Sequence, residues 1–262
     1  MVVADDAPVN RQERREAIRR EVMASGYVRI EQLADEHGVS GMTVHRDLDV
    51  LERQGWLRKV RGGATSTPTA LLETSVRARS ADAAAEKAAV AEHALRHVES
   101  GQVVALDDST SALAVAERLS PLGPLTIVTN FLSVVNLLSG EPGLHLIGLG
   151  GDYHPTYDAF LGLHTADMAR SMRSDVLFMS TTAVVAGHCL HRSQETIQVK
   201  RALMETTAKK VLLLDRTKFD RRAVHELAPL TAFDVVVVDA GTDAGTVGRL
   251  RDEGVRIEVA AG

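Results

Sequence analysis

Two carboxylates and three hydroxyls stand together in the stretch DDSTSA, Asp107 to Ala112. An apolar run precedes it and an alanine-rich helical pattern follows, so Ser109, Thr110 and Ser111 fall at the start of a helix. The free N–H groups of a helix start favour an anion, and the Asp107 carboxylate can accept protons from sugar hydroxyls. Further polar steps follow later apolar runs: Thr129–Asn130, Gly150–Gly151–Asp152, Ser180–Thr181–Thr182, and DRTKF with Asp215 and Lys218. Hydroxyls, helix N-termini and a few cations suit a phosphorylated polyol or sugar. Each residue also has a plain structural use: Ser and Thr after a strand cap helices, Asp107 can cap a turn, and Lys218 can be solvated. GLGGD lacks the full Gly-x-Gly-x-x-Gly spacing, which argues against a dinucleotide.

A second chemical set lies near the N-terminus, in GVSGMTVHRDLDVLERQGWLRKVRGGA, Gly38 to Ala64. Ser40 is a good helix cap. At 100° per residue Val44, Leu48 and Leu51 share one helix face, with Met42, His45, Arg46, Asp49 and Arg53 roughly opposite. On that outer face Arg46 can pair with guanine through two bonds, and Ser40, Thr43 and His45 can hydrogen-bond bases or phosphates, with Met42 beside them. WLRKVRGGAT then reads as a small hairpin from Leu57 to Val60, with its tip at Gly62–Gly63. Arg58, Lys59 and Arg61 give it charge for phosphate contacts, where sequence does not matter.

These side chains need elements to hold them. RQERREAIRREVMASG reads as a helix with Ile18 and Val22 on one face and Gly26 as its stop. YVRI is a short apolar run. IEQLADEHG is a second helix with Ile30, Leu33 and Ala34 inward. Helix, Gly-bearing turn and capped helix form the helix-turn-helix pattern, whose second helix enters the DNA major groove. Residues 11–64 carry 11 Lys+Arg against 9 Asp+Glu, a balance of +2. Residues 65–262 carry 19 against 24, a balance of −5, and Asp5 and Asp6 make up the overall −5. A slightly basic unit thus precedes an acidic one.

From about Ala83 the pattern changes. QVVALDD, LTIVTN, LHLIGLGG, DVLFMSTT, KVLLLD, FDVVVVDA and VRIEVA are short apolar runs, mostly separated by helical patterns such as SALAVAERL and ETIQVKRALMETTAKK. Near-continuous apolar strands alternating with helices argue for a mostly parallel sheet covered on both faces. In such a sheet ligands sit at the carboxyl ends of the strands, where the polar steps fall. The expected organisation is a winged helix-turn-helix over 1–64, a linker with Pro68 over 65–85, and an α/β domain over 86–262.

Residues 30–64 resemble the N-terminal signature of the DeoR family of bacterial transcriptional regulators, roughly eLA…VS…TiRRDL..Le..G.l.R.hGGA. The chain departs from it at His45, where Arg is usual, and at Trp56. The remainder resembles the DeoR sensor domain, whose EK…A, lD.GTT, TN, GG and D.SKF steps appear here in order at Glu86–Lys87, Asp107–Ser111, Thr129–Asn130, Gly150–Gly151 and Asp215–Phe219. The resemblance implies a fold related to ribose-5-phosphate isomerase, and a repressor of carbohydrate-metabolism genes released by a phosphorylated sugar or related metabolite. It also implies that Lys87, Asp215 and Lys218 help sense the effector, with Arg79 where the family often carries another effector-linked cation. Ser109 replaces the glycine of GTT, which keeps the backbone further from a phosphate.

The expected partners are double-stranded operator DNA and a small phosphorylated metabolite, in a homodimer or homotetramer. No cofactor, metal site or catalytic residue is expected. Cys189 is the single cysteine, and no apolar run approaches the ~20 residues that cross a bilayer, so a reducing cytoplasm is expected. A sugar-phosphate isomerase or deaminase carrying a DNA-binding unit is the alternative. Glu195 and Asp108 are its candidate bases, without a matching acid–base pair. A third possibility is an α/β domain that only dimerises.

Overall fold

The computed structural model describes residues 11–25, 27–53, 56–66 and 76–261, without the side chains of Met23, Ala24, Ser66 and Arg77. Gly26 and Pro68, named above as stop and linker residues, lie outside the described residues. The chain divides into two compact units, 1–74 and 75–262.

In the first unit, α1 (Arg11–Ser25), α2 (Ile30–Glu36) and α3 (Gly41–Arg53) contribute Ile18, Val22, Leu33, Val44, Leu48 and Leu51 to one core. Each such aliphatic side chain, fully buried, is worth about 1.5–3 kcal/mol before entropy is counted. Gly38 takes φ +61° between α2 and α3, a conformation that glycine adopts without strain. The Ser40 hydroxyl then accepts the Thr43 N–H at 3.2 Å and caps α3. Strands β1 (Tyr27–Arg29), β2 (Leu57–Val60) and β3 (Gly63–Ser66) form an antiparallel sheet in the order β1-β3-β2. The run YVRI therefore supplies a third strand.

The hairpin tip differs by one residue from its expected place. Val60 pairs with Gly63, so the turn is Arg61–Gly62, with Gly62 at φ +79°, and Gly63 belongs to β3. The reason is crowding by β1: a Cβ on Gly63 would meet the Val28 carbonyl oxygen at 2.2 Å.

The second unit begins with α4 (Val76–Ala81) and α5 (Ala84–Ala94). Next come β4 (Val103–Leu106), α6 (Thr110–Ala116), β5 (Leu125–Thr129), α7 (Leu132–Leu138) and β6 (Leu144–Gly148). A hairpin of β7 (Asp152–His154) and β8 (Ala159–Leu161) leads to α8 (Leu163–Arg170), β9 (Ser174–Met179), β10 (Ala183–Val185) and β11 (His188–His191). The chain continues through α9 (Gln194–Glu205), β12 (Thr207–Leu214), β13 (His225–Pro229), β14 (Val235–Val238), α10 (Ala244–Asp252) and β15 (Ile257–Val259). Seven strands form one parallel sheet in the order β15-β14-β12-β9-β4-β5-β6. All four residues of β14 are buried, as a sheet covered on both faces requires. Beside it, β10-β11-β13 and β7-β8 are small antiparallel sheets.

Two expectations are corrected. Regular structure enters the stretch 65–85 at both ends, since β3 reaches Ser66 and α4 spans Val76–Ala81. Ala78 is buried and Val76 packs on the core of this unit, which is why α4 forms. The second concerns ETIQVKRALMETTAKK, whose last residues, from Thr207, are not helix but the start of β12.

From β4 the chain moves outward through β5 and β6, then crosses back to lay β9, β12, β14 and β15 on the other side of β4. The direction reverses between β4 and β9. In an open α/β sheet the crevice outside the carboxyl ends at such a reversal is the natural ligand position.

Candidate functional site

On α3, Met42 is 64% exposed, and His45, Arg46 and Arg53 are also exposed, opposite the buried Val44, Leu48 and Leu51. Asp47 turns the other way. It is 2% exposed and takes the Nε donors of Arg14 and Arg15, each at 2.7 Å. Charge-assisted bonds of this kind are strong, and these two fix α1 against the helix that carries Arg46. Arg19 stacks over the Trp56 ring, 3.3 Å from its centroid. In the hairpin Arg58 and Arg61 are exposed, whereas Lys59 pairs with Asp49 of α3 and its N–H donates to Glu52 Oε1 at 2.7 Å.

In the second unit, buried charge collects at the carboxyl ends of β4, β9 and β12. Asp107 is fully buried. Its Oδ1 accepts the Ser109 N–H at 3.0 Å, and its Oδ2 accepts the Ser180 N–H at 3.0 Å and the ammonium of Lys200. Lys200, on α9, also reaches Asp108 Oδ1 at 2.9 Å. Burial works against the charge of Lys200, but Asp107 and Asp108 hold its pKa above the usual lysine value. Burial likewise opposes the Asp108 carboxylate, and Lys200, His191 and Arg79 hold it below the usual range. His191 is pushed down to about 3 by burial and by Lys200, so it is neutral near pH 7, and its Nδ1 accepts the Ser193 N–H at 3.1 Å.

A second group adjoins the first through Arg79, whose guanidinium lies 5.6 Å from the Tyr157 ring centroid. The Lys87 ammonium donates to the carbonyls of Arg79 and Asp82, the latter at 2.6 Å, and Thr110 Oγ1 donates to the Arg79 carbonyl at 3.4 Å. Arg221 pairs with Asp82, and Lys218 Nζ lies 3.8 Å from Asp215 Oδ2. Burial lowers the pKa of Lys87 and pushes Lys218 down to about 8. Against its own burial, Asp215 is held below the usual carboxylate range by Lys218, Thr217 and Lys87. Among the described residues Lys87, Lys218 and Arg221 thus face two carboxylates, Asp82 and Asp215, so positive charge is in excess. That is the electrostatics of an anion site.

The comparisons with known proteins agree with both halves of this geometry. Residues 14–70 match the model of the DeoR-like helix-turn-helix domain, and residues 82–240 match that of the DeoR C-terminal sensor domain. The chain belongs to the DeoR family. It is 33% identical over 87% of its length to the HTH-type transcriptional regulator YgbI of Escherichia coli, covering 90% of that protein. It is 28% identical over 91% of its length to the glycerol-3-phosphate regulon repressor of Escherichia coli, covering 94% of it. It is also 30% identical over 88% of its length to the lactose phosphotransferase system repressor of Staphylococcus epidermidis, covering 93% of that repressor. Among solved structures, it is similar to ribose 5-phosphate isomerase A of Methanocaldococcus jannaschii at 15% identity and a TM-score of 0.39, over 53% of this chain and 55% of that one. The α/β class rests on the seven parallel strands and not on that distant likeness.

This DeoR-family chain is therefore a DNA-binding transcriptional regulator with a small-molecule effector, not an enzyme. Among the described residues no helix is long and apolar enough to cross a membrane. No group of His, Cys, Asp and Glu among them could hold a metal.

Of the expected effector residues, Arg79, Lys87, Thr110, Asp215 and Lys218 come together. Asp107 does not offer the expected acceptor, because Ser109, Ser180 and Lys200 already occupy its oxygens. Ser109 is spent as the cap of α6, accepting the Ala112 N–H at 3.1 Å, and Ser111 is buried in the first turn of that helix. Gly150 and Gly151 follow β6 at the sheet edge, away from the reversal. The Gly150 carbonyl accepts from Thr165 Oγ1 at 2.9 Å, and a Cβ on Gly151 would meet the same oxygen at 2.0 Å, so both serve the packing of α8. Asn130 follows β5, with its Nδ2 donating to the Phe160 carbonyl at 3.0 Å. Glu195 is exposed, 4.0 Å from His154.

Lys200, His191, Asp82 and Arg221 were missed by the sequence reading. Lys200 did leave a signal: with Thr196, Val199 and Leu203 it falls on the inward stripe of α9, where a lysine demands a buried partner.

Proposed function

We propose that the chain is a cytoplasmic repressor of carbohydrate-metabolism genes that releases double-stranded operator DNA when a phosphorylated sugar or related metabolite binds at the strand ends. Ser40, Met42, Thr43, His45 and Arg46 of the α3 segment meet the major groove, and Arg58, Lys59 and Arg61 meet phosphates. The phosphate is taken by Lys87 and Lys218 and not by the Ser109–Ser111 turn, whose hydroxyls are already used. One helix-turn-helix reads few base pairs, so a homodimer or homotetramer is expected to read paired half-sites. The second unit provides its contacts, within a division at 1–64, a connecting stretch and the α/β remainder. The names of two relatives cited above, the glycerol-3-phosphate regulon repressor and the lactose phosphotransferase system repressor, support this reading.

The observation that carries the release step is the position of Lys87. Its ammonium clasps the end of α4 through the carbonyls of Arg79 and Asp82, and among the described residues α4 is the first helix after the DNA-binding unit. A phosphate that draws Lys87 away loosens α4. A hundredfold release requires about 2.7 kcal/mol of coupling, which charge-assisted contacts made in one state can supply.

The test is a mobility-shift titration of operator DNA with and without a panel of sugar phosphates. Arg46→Ala is expected to cost about 1–3 kcal/mol of specific binding. Lys218→Ala is expected to keep DNA bound at effector concentrations that strip the parent. If Arg46→Ala binds as the parent does, the α3 assignment is wrong. If no sugar phosphate releases the parent, the effector reading is wrong.

A further inference from the structure

Two buried acceptors at neighbouring strand ends have no donor. Asp108 is 2% exposed, with Oδ1 held by Lys200 and Oδ2 buried without a hydrogen-bond partner. Asn130 is 1% exposed. Its Nδ2 donates to the Phe160 carbonyl, which fixes the amide's orientation and leaves Oδ1 buried and unpartnered. Leu106 and Thr129 are direct partners in the β4–β5 ladder. Asp108 and Asn130 follow them by two residues and one, on strands about 4.8 Å apart. Asp108 also lies at the reversal of the sheet, on the same side as the Lys87–Lys218 group, with which it shares Arg79 as a neighbour. A buried acceptor left unmade costs about 1–3 kcal/mol, so two at neighbouring strand ends call for a ligand that brings donors.

The donor is a neutral hydroxyl. Lys200 is shared with Asp107, and Lys200 and Arg79 together offset the two carboxylates, so an incoming ammonium finds no uncompensated negative charge here, and a hydroxyl needs none. We propose that Asp108 Oδ2 and Asn130 Oδ1 accept hydrogen bonds from hydroxyls of the effector's carbon chain, and that the pair makes the sensor select a polyhydroxylated phosphate over its deoxy and amino counterparts. The proposal rests on the strand-end effector site above and assigns its uncharged half. Asp108 fills the position that the D.GTT pattern leaves open, so the preference it sets belongs to this chain.

Calorimetric titration of the full-length protein tests it. The probes are ribose 5-phosphate and glucose 6-phosphate with their 2-deoxy and 3-deoxy counterparts, glucosamine 6-phosphate and inorganic phosphate. The parent is expected to bind one hydroxylated sugar phosphate at least about tenfold tighter than a deoxy or amino counterpart. Asp108→Ala and, separately, Asn130→Ala should narrow that ratio to within about threefold. Binding of inorganic phosphate should change by less than about twofold, since the anion contacts are untouched. Should Asp108→Ala fail to fold, Asn130→Ala decides alone. A parent that binds a sugar phosphate without discrimination, or folded variants that discriminate as the parent does, overturn the acceptor pair and leave the effector site standing. A parent that binds none of the sugar phosphates overturns both.

Discussion

Asp47 in the DNA-binding unit and Asp108 in the sensor unit are equally buried, each 2% exposed, and each meets cations. They differ in what is left over. Both oxygens of Asp47 are taken, one by Arg14 and one by Arg15, so nothing remains for a ligand. Asp108 gives one oxygen to Lys200 and keeps the other without a donor. The same contrast separates Asp107, which is filled, from its neighbour in sequence. Buried charge with no spare valence holds elements together, and buried charge with spare valence waits for a molecule. The first unit must present a fixed surface to DNA and the second must change state, and the two networks are built accordingly.

The largest effect is expected where the network is closed. Asp47→Ala strands Arg14, whose side chain is only 8% exposed, without its partner. Breaking a buried pair in this way costs about 3–5 kcal/mol, a large share of the stability of so small a unit. Trp56, the single tryptophan, lies in this unit, so urea unfolding followed by its fluorescence reads the loss directly. A midpoint shift equivalent to less than about 1 kcal/mol would place Asp47 among ordinary surface charges and break the comparison.

The sequence carried different amounts of the two networks. All seven strands of the large sheet were legible, because a strand buried on both faces reads as a continuous apolar run, as VVVV in β14 does. The five short strands β7, β8, β10, β11 and β13 were not, since runs of three to five residues with histidine and proline carry no period. The recognition helix was legible from Val44, Leu48 and Leu51, but nothing local in the sequence marks Asp47 beside them as the buried partner of Arg14 and Arg15. The use of the Ser109 hydroxyl was not legible for a related reason. Ser109 looks the same in sequence whether its hydroxyl meets a ligand or, as here, the Ala112 N–H. Partners far along the chain are the common difficulty: Asp107 and Lys200 are 93 residues apart, and no local pattern couples them.

A smaller effect is expected in the open network, as a dependence on pH. Burial, only partly offset by Asp215, and the nearby Arg221, Lys87 and Arg79 push Lys218 down to about 8 from 10.5. In the empty protein the unfolded chain therefore binds more protons between about pH 8 and 10.5, and this group makes the fold gain stability as pH rises through that window. An anionic effector reverses the balance by restoring the proton. Its affinity is expected to be greatest near pH 7, where the phosphate is a dianion and Lys218 is protonated, and to fall by up to about tenfold per pH unit above 8. Calorimetry at pH 7, 8 and 9 in buffers of different ionisation heat reads both the affinity and the proton taken up. In Lys218→Met the dependence should flatten. If it persists there unchanged, the excess charge at the strand ends is not what the effector answers.

The smallest effect sharpens the comparison with a third kind of charge, one that is neither closed nor spare. Lys59 on the hairpin is ion-paired with Asp49 of α3, and this bond is the main cause that holds the Asp49 carboxyl below its usual range. The pair is solvent-accessible, so it can open, but DNA gains the Lys59 charge only after Asp49 has let it go. Lys59→Ala should therefore flatten the salt dependence of binding to random-sequence duplex by less than Arg61→Ala, whose side chain is exposed at the turn. A free phosphate-contacting cation is worth about 0.9 in that logarithmic slope. Asp49→Asn should do the opposite: it frees Lys59, strengthens binding to all duplexes by a few-fold, and steepens the slope by up to about one. Fluorescence-anisotropy titrations at several salt concentrations separate the cases. Equal slopes for Lys59→Ala and Arg61→Ala, with no change in Asp49→Asn, would mean that the ion pair imposes no cost on DNA binding, and that Lys59 behaves as a fully free charge.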